Sequence, residues 1–261
     1  MPKLTATIVA YKDYSDIRKT IESIEKYTNK SISKKIYIVD NGVAVSDPDE
    51  VRAFIDHIKK YDDVEYHDMN MNLGFGKGHN YVLPYLDSTY HAIINPDILL
   101  KHDALGIIVD YLDQNSDVGM CIPNITDVHG KRYDIYREEV TVFDMFIRMF
   151  CRGLFKKRKA RHTMQYEDYS KPFQVPFGQG SFLVIRTELF KELNGFDERY
   201  FMYMEDADLC KRVNKRSKLM YLPYATVIHK WRQGSHKNKT LFKYHLKSMV
   251  QYFKKWGIKW V

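Results

Sequence analysis

Leu4-Thr-Ala-Thr-Ile-Val-Ala10 and Lys35-Ile-Tyr-Ile-Val39 flank a segment, Asp16 to Tyr27, in which Ile17, Ile21 and Ile24 recur at helical spacing. The two apolar runs read as buried strands, and the three isoleucines stripe one face of an amphipathic helix. A strand, a helix and a second strand in this order predict a parallel pair joined by a crossover. The pattern repeats outward. Val51 to Tyr61 reads as a helix and Val64-Glu-Tyr66 as a short strand, and a Gly-rich turn at Asn72–Asn80 opens a helix to about Leu86. His91–Ile94 reads as a strand, Asp103 to Asn115 as a helix and Val118–Ile122 as a strand. This alternation predicts an α/β chain, a mostly parallel, doubly wound sheet with helices on both faces.

Ligands of such sheets bind at the carboxyl ends of the strands. Tyr11, Asp40 and Asp97 each directly follow a predicted strand. Any one could be a turn or cap residue; three on neighbouring strands point to a nucleotide. Gly74, Gly76 and Gly78 add a loop that lets backbone come close to a ligand at a helix start. The loop lacks the GK[ST] of a phosphate-binding P-loop, and it does not follow a long strand as a dinucleotide fingerprint does.

Past residue 123 the pattern is irregular. Val175–Arg186 reads as one strand, Thr187–Leu193 as a helix, and Leu219–Ile228 as a strand ending at His229. Between them lies Phe201-Met-Tyr-Met-Glu-Asp-Ala-Asp208, three carboxylates within four residues after an aromatic and methionine run. As the start of a helix, Asp208 pairs with Arg212 at i, i+4, and Glu205 shares its face. Apolar walls raise a carboxyl group toward general-base range. An acidic helix N-terminus favoured by the macrodipole is the plainer alternative. His229 is a strand-end histidine or, with Asp97, part of a site for a Mn²⁺- or Mg²⁺-type ion.

The chain has 261 residues, 44% hydrophobic and 28% charged, enough for a substantial core. Its formal net charge of +8 is local. Met145–His162 holds seven Lys/Arg and Lys230–Val261 nine, with no acid in either; without them 25 basic residues face 33 acidic ones. Both runs mix cations with aromatic residues, the second as an amphipathic helix, and both predict contact with an anionic membrane interface. Packing on the domain or dimerisation is the alternative for the C-terminal helix. Cys121, Cys151 and Cys210 form no CxxC pair, no span of ~18 apolar residues occurs and the N-terminus lacks a signal layout, so a cytoplasmic protein is expected, held peripherally at the inner membrane face. A nucleic-acid-binding protein is the rival class. It is disfavoured because the basic charge is confined to two runs and no recognition motif appears.

The ordered set Ile8-Val-Ala-Tyr11, Val39-Asp-Asn-Gly42, Asn72-Leu-Gly-Phe-Gly76, Asn95-Pro-Asp97, Gly178-Gln-Gly-Ser-Phe182, Gly195-Phe-Asp-Glu198, Tyr203–Leu209 and His229 resembles the inverting family 2 nucleotide-sugar glycosyltransferases of GT-A fold. Within them it looks most like the bacterial rhamnosyltransferases of cell-surface polysaccharide synthesis. The resemblance implies a GT-A domain over 1–235 and a C-terminal amphipathic helix over 236–261. The domain divides into a nucleotide-binding half, 1–122, and an acceptor half, 123–235. It implies Tyr11 and Asp40 on the base and ribose, with Gly74 and Asn80 bordering the nucleotide. It implies Asn95 and Asp97 as a DxD-like pair, Asp97 and His229 on a divalent cation, and Asp206 as general base flanked by Glu205. Gly178, Gln179, Gly180 and Ser181 would shape the donor-sugar and acceptor side. Asn95 departs from the family's first acidic ligand. The implied partners are a nucleotide sugar, dTDP-rhamnose foremost and a UDP-hexose or UDP-HexNAc otherwise, a lipid-linked saccharide acceptor, and, where the aromatic C-terminal helix serves a dimer, a second copy of the chain.

Overall fold

The structure, a computed structural model, describes residues 1–12, 14–151, 154–230 and 239–261. Within the two basic runs, 152–153 and 231–238 lie outside the described residues. The first half follows the alternation. Strand β1 (Leu4–Ala10), helix α1 (Tyr14–Tyr27), β2 (Lys34–Asp40), α2 (Pro48–Ile58) and β3 (Val64–Asp68) come first, then α3 (Phe75–Asn80), β4 (Tyr90–Ile94), β5 (Ile98–Leu100), α4 (Ala104–Gln114) and β6 (Val118–Thr126). β1 pairs in parallel with β2 and β4, and β2 with β3, so the apolar runs form the fully buried centre of the sheet.

The second half contributes β7 (Tyr136–Arg137), α5 (Val142–Phe150), α6 (Lys156–His162), β8 (Phe173–Gln174), β9 (Phe177–Gly178) and β10 (Phe182–Arg186). It closes with α7 (Thr187–Glu192), α8 (Glu205–Asn214), β11 (Lys218–His229) and α9 (Lys239–Trp256). The main sheet runs β3-β2-β1-β4-β10-β6-β11-β5, with β8 beside β11; β7 and β9 form a separate ribbon. β10 is antiparallel to both β4 and β6, and β5 is antiparallel to β11, so the sheet is parallel only in its first half and mixed beyond it. β11 runs parallel to β6, and its register slips between Leu222 and Thr226, around Pro223, which has no amide to give to a ladder.

Three expectations change. The helix expected to reach Leu86 stops at Asn80, and a 3-10 turn at Leu83–Tyr85 carries Pro84, which cannot donate to a continuing helix. The single strand expected over Val175–Arg186 is broken into β9 and β10 because residues 179–181 leave the ladder. β5, with three residues too short to show a pattern, exists because Ile98 pairs with His229.

The C-terminal helix packs on the domain. Tyr244 contacts the ring of Phe201 with centroids 4.6 Å apart, His245 contacts Tyr203 at 4.8 Å, and Tyr252 is buried. The Trp256 indole donates to Asp208 Oδ1 at 2.8 Å, and Lys255 pairs with Asp208 at 2.6 Å and Asp197 at 2.7 Å. The aromatic face expected to meet a membrane or a second copy is therefore spent on the chain's own core.

Candidate functional site

α8 begins at the carboxyl edge of the sheet and presents Glu205 and Asp206 there. Asp206 is half-buried and held by two backbone amides: Gly180 N–H donates to Oδ2 at 3.1 Å and Ala207 N–H to Oδ1 at 2.8 Å. A Cβ on Gly180 would stand 3.0 Å from that of Asp206, so this approach leaves almost no room for a side chain. Burial raises the Asp206 carboxyl above its ordinary range, while the two amides and the charges of Arg137 and Arg148 oppose the rise. Glu205 is buried and is raised much further, by desolvation and then by the Asp206 charge. Burial and the neighbouring charge thus press Glu205 toward its neutral form, while the two amides and the arginine charges favour ionised Asp206.

The turn entering α8 is strained. Tyr203 and Met204 both sit in the left-handed region, each with φ of 69°. α9 braces it through the two ring contacts and through Ser248, whose hydroxyl donates to the Met202 carbonyl at 2.8 Å.

The loop Gly178–Ser181 links Asp206 to a second group. Asn95 N–H donates to the Ser181 carbonyl at 2.9 Å, which fixes Asn95-Pro96-Asp97 beside the loop. Thr20 of α1 donates to the Pro96 carbonyl at 2.8 Å, and Lys230 N–H donates to the Asp97 carbonyl at 3.2 Å. The β5–β11 pairing then brings Asp97 Oδ1 to 3.1 Å from His229 Nε2. Residues 132 positions apart in sequence thus meet as the expected carboxylate–imidazole pair. Among the described residues no three His, Cys, Asp or Glu converge.

Around these groups, buried polar atoms find no hydrogen-bond partner among the described residues: Asn95 Oδ1, Gln179 Oε1, Ser181 Oγ and Glu205 Oε2. Buried polar atoms are ordinarily satisfied, so a cluster of exceptions on one loop and its neighbours marks a place for a polar ligand.

The nucleotide-side expectations divide. Tyr11 is half exposed at the end of β1 and presents its ring. Asp40 lies beside it but is fully buried. Tyr14 and Tyr66 donate to its Oδ2 at 2.7 and 2.8 Å, and Gly42 N–H donates to Oδ1 at 2.8 Å. Asp40 thus fixes the loop after β2 from within instead of reaching outward. Gly74 and Asn80 also have other partners than a nucleotide. A Cβ at Gly74 would lie 2.2 Å from the Phe201 carbonyl oxygen, and Phe75 N–H donates to that oxygen at 3.0 Å. Asn80 clasps the Phe196 backbone, accepting its N–H at 2.7 Å and donating to its carbonyl at 2.8 Å. The glycine loop is small so that it can pack against the catalytic turn; its sequence signal, glycines at a helix start, was the same as for a phosphate loop. Arg137 was not anticipated, since an isolated arginine in an irregular stretch carries no pattern, and Arg148 was read only as one cation of the 145–162 run.

The family model for glycosyl transferase family 2 matches residues 5–194. Rhamnosyltransferase WbbL of Escherichia coli (strain K12) is 31% identical over 191 residues, 69% of each chain. The N-acetylglucosaminyl-diphospho-decaprenol L-rhamnosyltransferase of Mycobacterium tuberculosis is 27% identical over 241 residues, 87% of this chain and 75% of the relative. Among solved structures, GalNAc-T7 with UDP, GalNAc and Mn²⁺ superposes with a TM-score of 0.69 over 97% of this chain at 15% identity. The chain spans 48% of the GalNAc-T7 chain. A mannosyltransferase from Pyrobaculum calidifontis in complex with GDP-Man and Mn²⁺ gives 0.66 over 97% of this chain and 64% of its own, again at 15% identity. These two likenesses are of fold, GT-A in both.

Proposed function

The chain belongs to glycosyl transferase family 2 and is a glycosyltransferase, and we propose that it transfers L-rhamnose from dTDP-rhamnose, with inversion, to a hydroxyl of a lipid-linked saccharide. The single observation that carries the chemistry is Asp206, held by the Gly180 and Ala207 amides with its carboxyl raised by burial. A sugar hydroxyl is a poor nucleophile near neutral pH, and a carboxylate poised above its ordinary range takes its proton efficiently. In the proposed step the acceptor oxygen forms its bond to the anomeric carbon as that carbon's bond to the diphosphate oxygen breaks. The acceptor proton goes to Asp206, and the electron pair leaves with the nucleoside diphosphate. Glu205, kept neutral, adds no second negative charge against the diphosphate.

The choice of rhamnose and of a lipid diphosphate acceptor is supported by the names of the two curated relatives, one of which acts on a diphospho-decaprenol substrate. Tyr11 offers a stacking face for the base. Asp97 and His229 fit a divalent ion: a carboxylate and an imidazole in contact, with the buried Asn95 Oδ1 lacking a hydrogen-bond partner among the described residues, suit an ion that takes its other ligands from a diphosphate. Such an ion would offset the charge gathering on the leaving group.

The protein would work at the membrane face. Val142 and Phe143 amides donate to the Lys259 and Trp260 carbonyls at 2.9 and 3.1 Å, which joins the two basic runs into one surface. Phe146, Leu154, Phe155, Ile258 and Trp260 are exposed there beside Lys156, Lys157 and Lys159. Exposed aromatics among lysines match an anionic lipid interface. No described helix is long and apolar enough to cross a membrane.

The test is calorimetric binding of dTDP-rhamnose, UDP-glucose, UDP-galactose and UDP-N-acetylglucosamine, with and without Mn²⁺. Selective binding of dTDP-rhamnose is expected; selective binding of a UDP sugar would replace the donor.

A further inference from the structure

We propose that Arg137, backed by Arg148, is an anion site for the diphosphate of the acceptor, on the β7–β9 ribbon that leads to Asp206. Arg137 is nine-tenths buried, yet its guanidinium forms no hydrogen bond or ion pair with any described residue; it stands over the Phe177 ring, 5.3 Å from the centroid. Three other inward-facing arginines have carboxylate or carbonyl partners. Arg158 grips Asp144 with two nitrogens, Arg212 pairs with Asp208, and Arg186 donates to the carbonyls of Val118, Leu112 and Asn115. A buried guanidinium with no carboxylate in hydrogen-bond contact is costly, and the fold keeps this one.

Its position follows from the β7–β9 ribbon. Arg137 pairs with Phe177 and Tyr136 with Gly178, and two residues past Gly178 the Gly180 amide holds Asp206. The positive charge is therefore built onto the same strand pair that places the base. Arg137 and Arg148 lie close enough that each bears on the Asp206 carboxyl, and desolvation together with Arg148 lowers Arg137 to about 9. The planar guanidinium fork of Arg137 matches phosphate oxygens two at a time, and the nearby charge of Arg148 adds to the positive potential that a diphosphate would meet.

The acceptor is favoured over the donor by what lies next along the chain. α5, which carries Arg148, also carries Phe146 on its exposed side, next to Leu154, Phe155 and Trp260. A diphosphate on Arg137 and Arg148 would place an attached lipid on that apolar surface and its sugar toward Asp206. This inference rests on the acceptor class proposed above.

The experiment compares wild type, Arg137→Gln and Arg137→Lys, each saturated with nucleoside diphosphate. Inorganic diphosphate, without metal, is titrated calorimetrically. Binding should weaken about ten- to hundredfold in Arg137→Gln and less in Arg137→Lys, as expected for losing charge-assisted hydrogen bonds. Equal affinity in wild type and a folded variant overturns the proposal, and if Arg137→Gln does not fold, Arg137→Lys decides. Loss of the diphosphate signal from wild type when the nucleoside diphosphate is added would assign Arg137 to the donor instead. In turnover, KM should rise by the same factor for a sugar carried on an alkyl diphosphate and stay unchanged for the same sugar as a simple alkyl glycoside. An equal rise with both would make Arg137 structural. Transfer to neither by wild type would sink the acceptor class, and the diphosphate titration would then decide the anion site by itself.

Discussion

Trp256, in the last turn of the C-terminal helix, donates its indole N–H to Asp208 Oδ1, three residues past the start of the helix that carries the proposed base. Asp208 is fully buried and also receives Arg212 and Lys255. The C-terminal helix is thereby part of the scaffold of the proposed base, and it holds the strained Tyr203–Met204 turn in place.

Asp208→Asn should destabilise the protein by about 3 kcal/mol, since it leaves two cations facing a neutral amide in the interior. Trp256→Phe, which removes one hydrogen bond, should cost about 1 kcal/mol. Urea unfolding checks both. Wild-type stability in Trp256→Phe would mean that the helix end is not fastened as described.

Asp206→Asn should lower kcat about a hundred- to ten-thousandfold, the usual worth of a general base, with donor affinity near normal. Calorimetry and single-turnover rates on the same preparation separate the two effects. Comparable turnover would remove Asp206 from the mechanism.

The raised carboxyls set the direction of the pH response. The base acts ionised, so kcat/KM should rise with pH along a limb whose midpoint lies above the ordinary aspartate range. Glu205 is raised in the folded state, so its contribution to stability is full below its unfolded pKa of about 4.3 and is lost as pH rises through the higher folded value. Glu205→Gln should therefore gain on wild type in melting temperature as pH increases. Parallel curves for the two proteins would refute the buried, proton-bearing state.

Asp97→Ala and His229→Ala should each weaken donor binding about tenfold or more in Mn²⁺ and flatten its metal dependence. If the donor binds both variants as it binds wild type, with and without Mn²⁺, the proposed ion site is wrong.

Replacing Lys156, Lys157 and Lys159 by Ala should release the protein from phosphatidylglycerol vesicles, at about 1 kcal/mol for each charge near the surface. Trp260→Ala should weaken binding at high salt as well, because its contribution is apolar. Undiminished co-sedimentation of the triple variant would exclude this surface as the membrane contact.

Much of this was legible in the chain itself. The buried runs at Leu4–Ala10 and Lys35–Val39 and the isoleucine stripe between them give the parallel half, because strand and helix periodicities are local properties. Asp208 and Arg212 pair as their spacing requires. The glycines at 74, 76 and 78 were visible but misleading: close packing on protein and close packing on phosphate ask for the same missing side chain. Three kinds of information required the tertiary structure. The antiparallel insertion of β10 depends on long-range pairing with β4 and β6. The meeting of Asp97 with His229 depends on the register of a three-residue strand. The unpaired state of Arg137 is a property of everything around it, since a sequence records which charges a chain carries, and only the packed fold decides which of them are left without a partner.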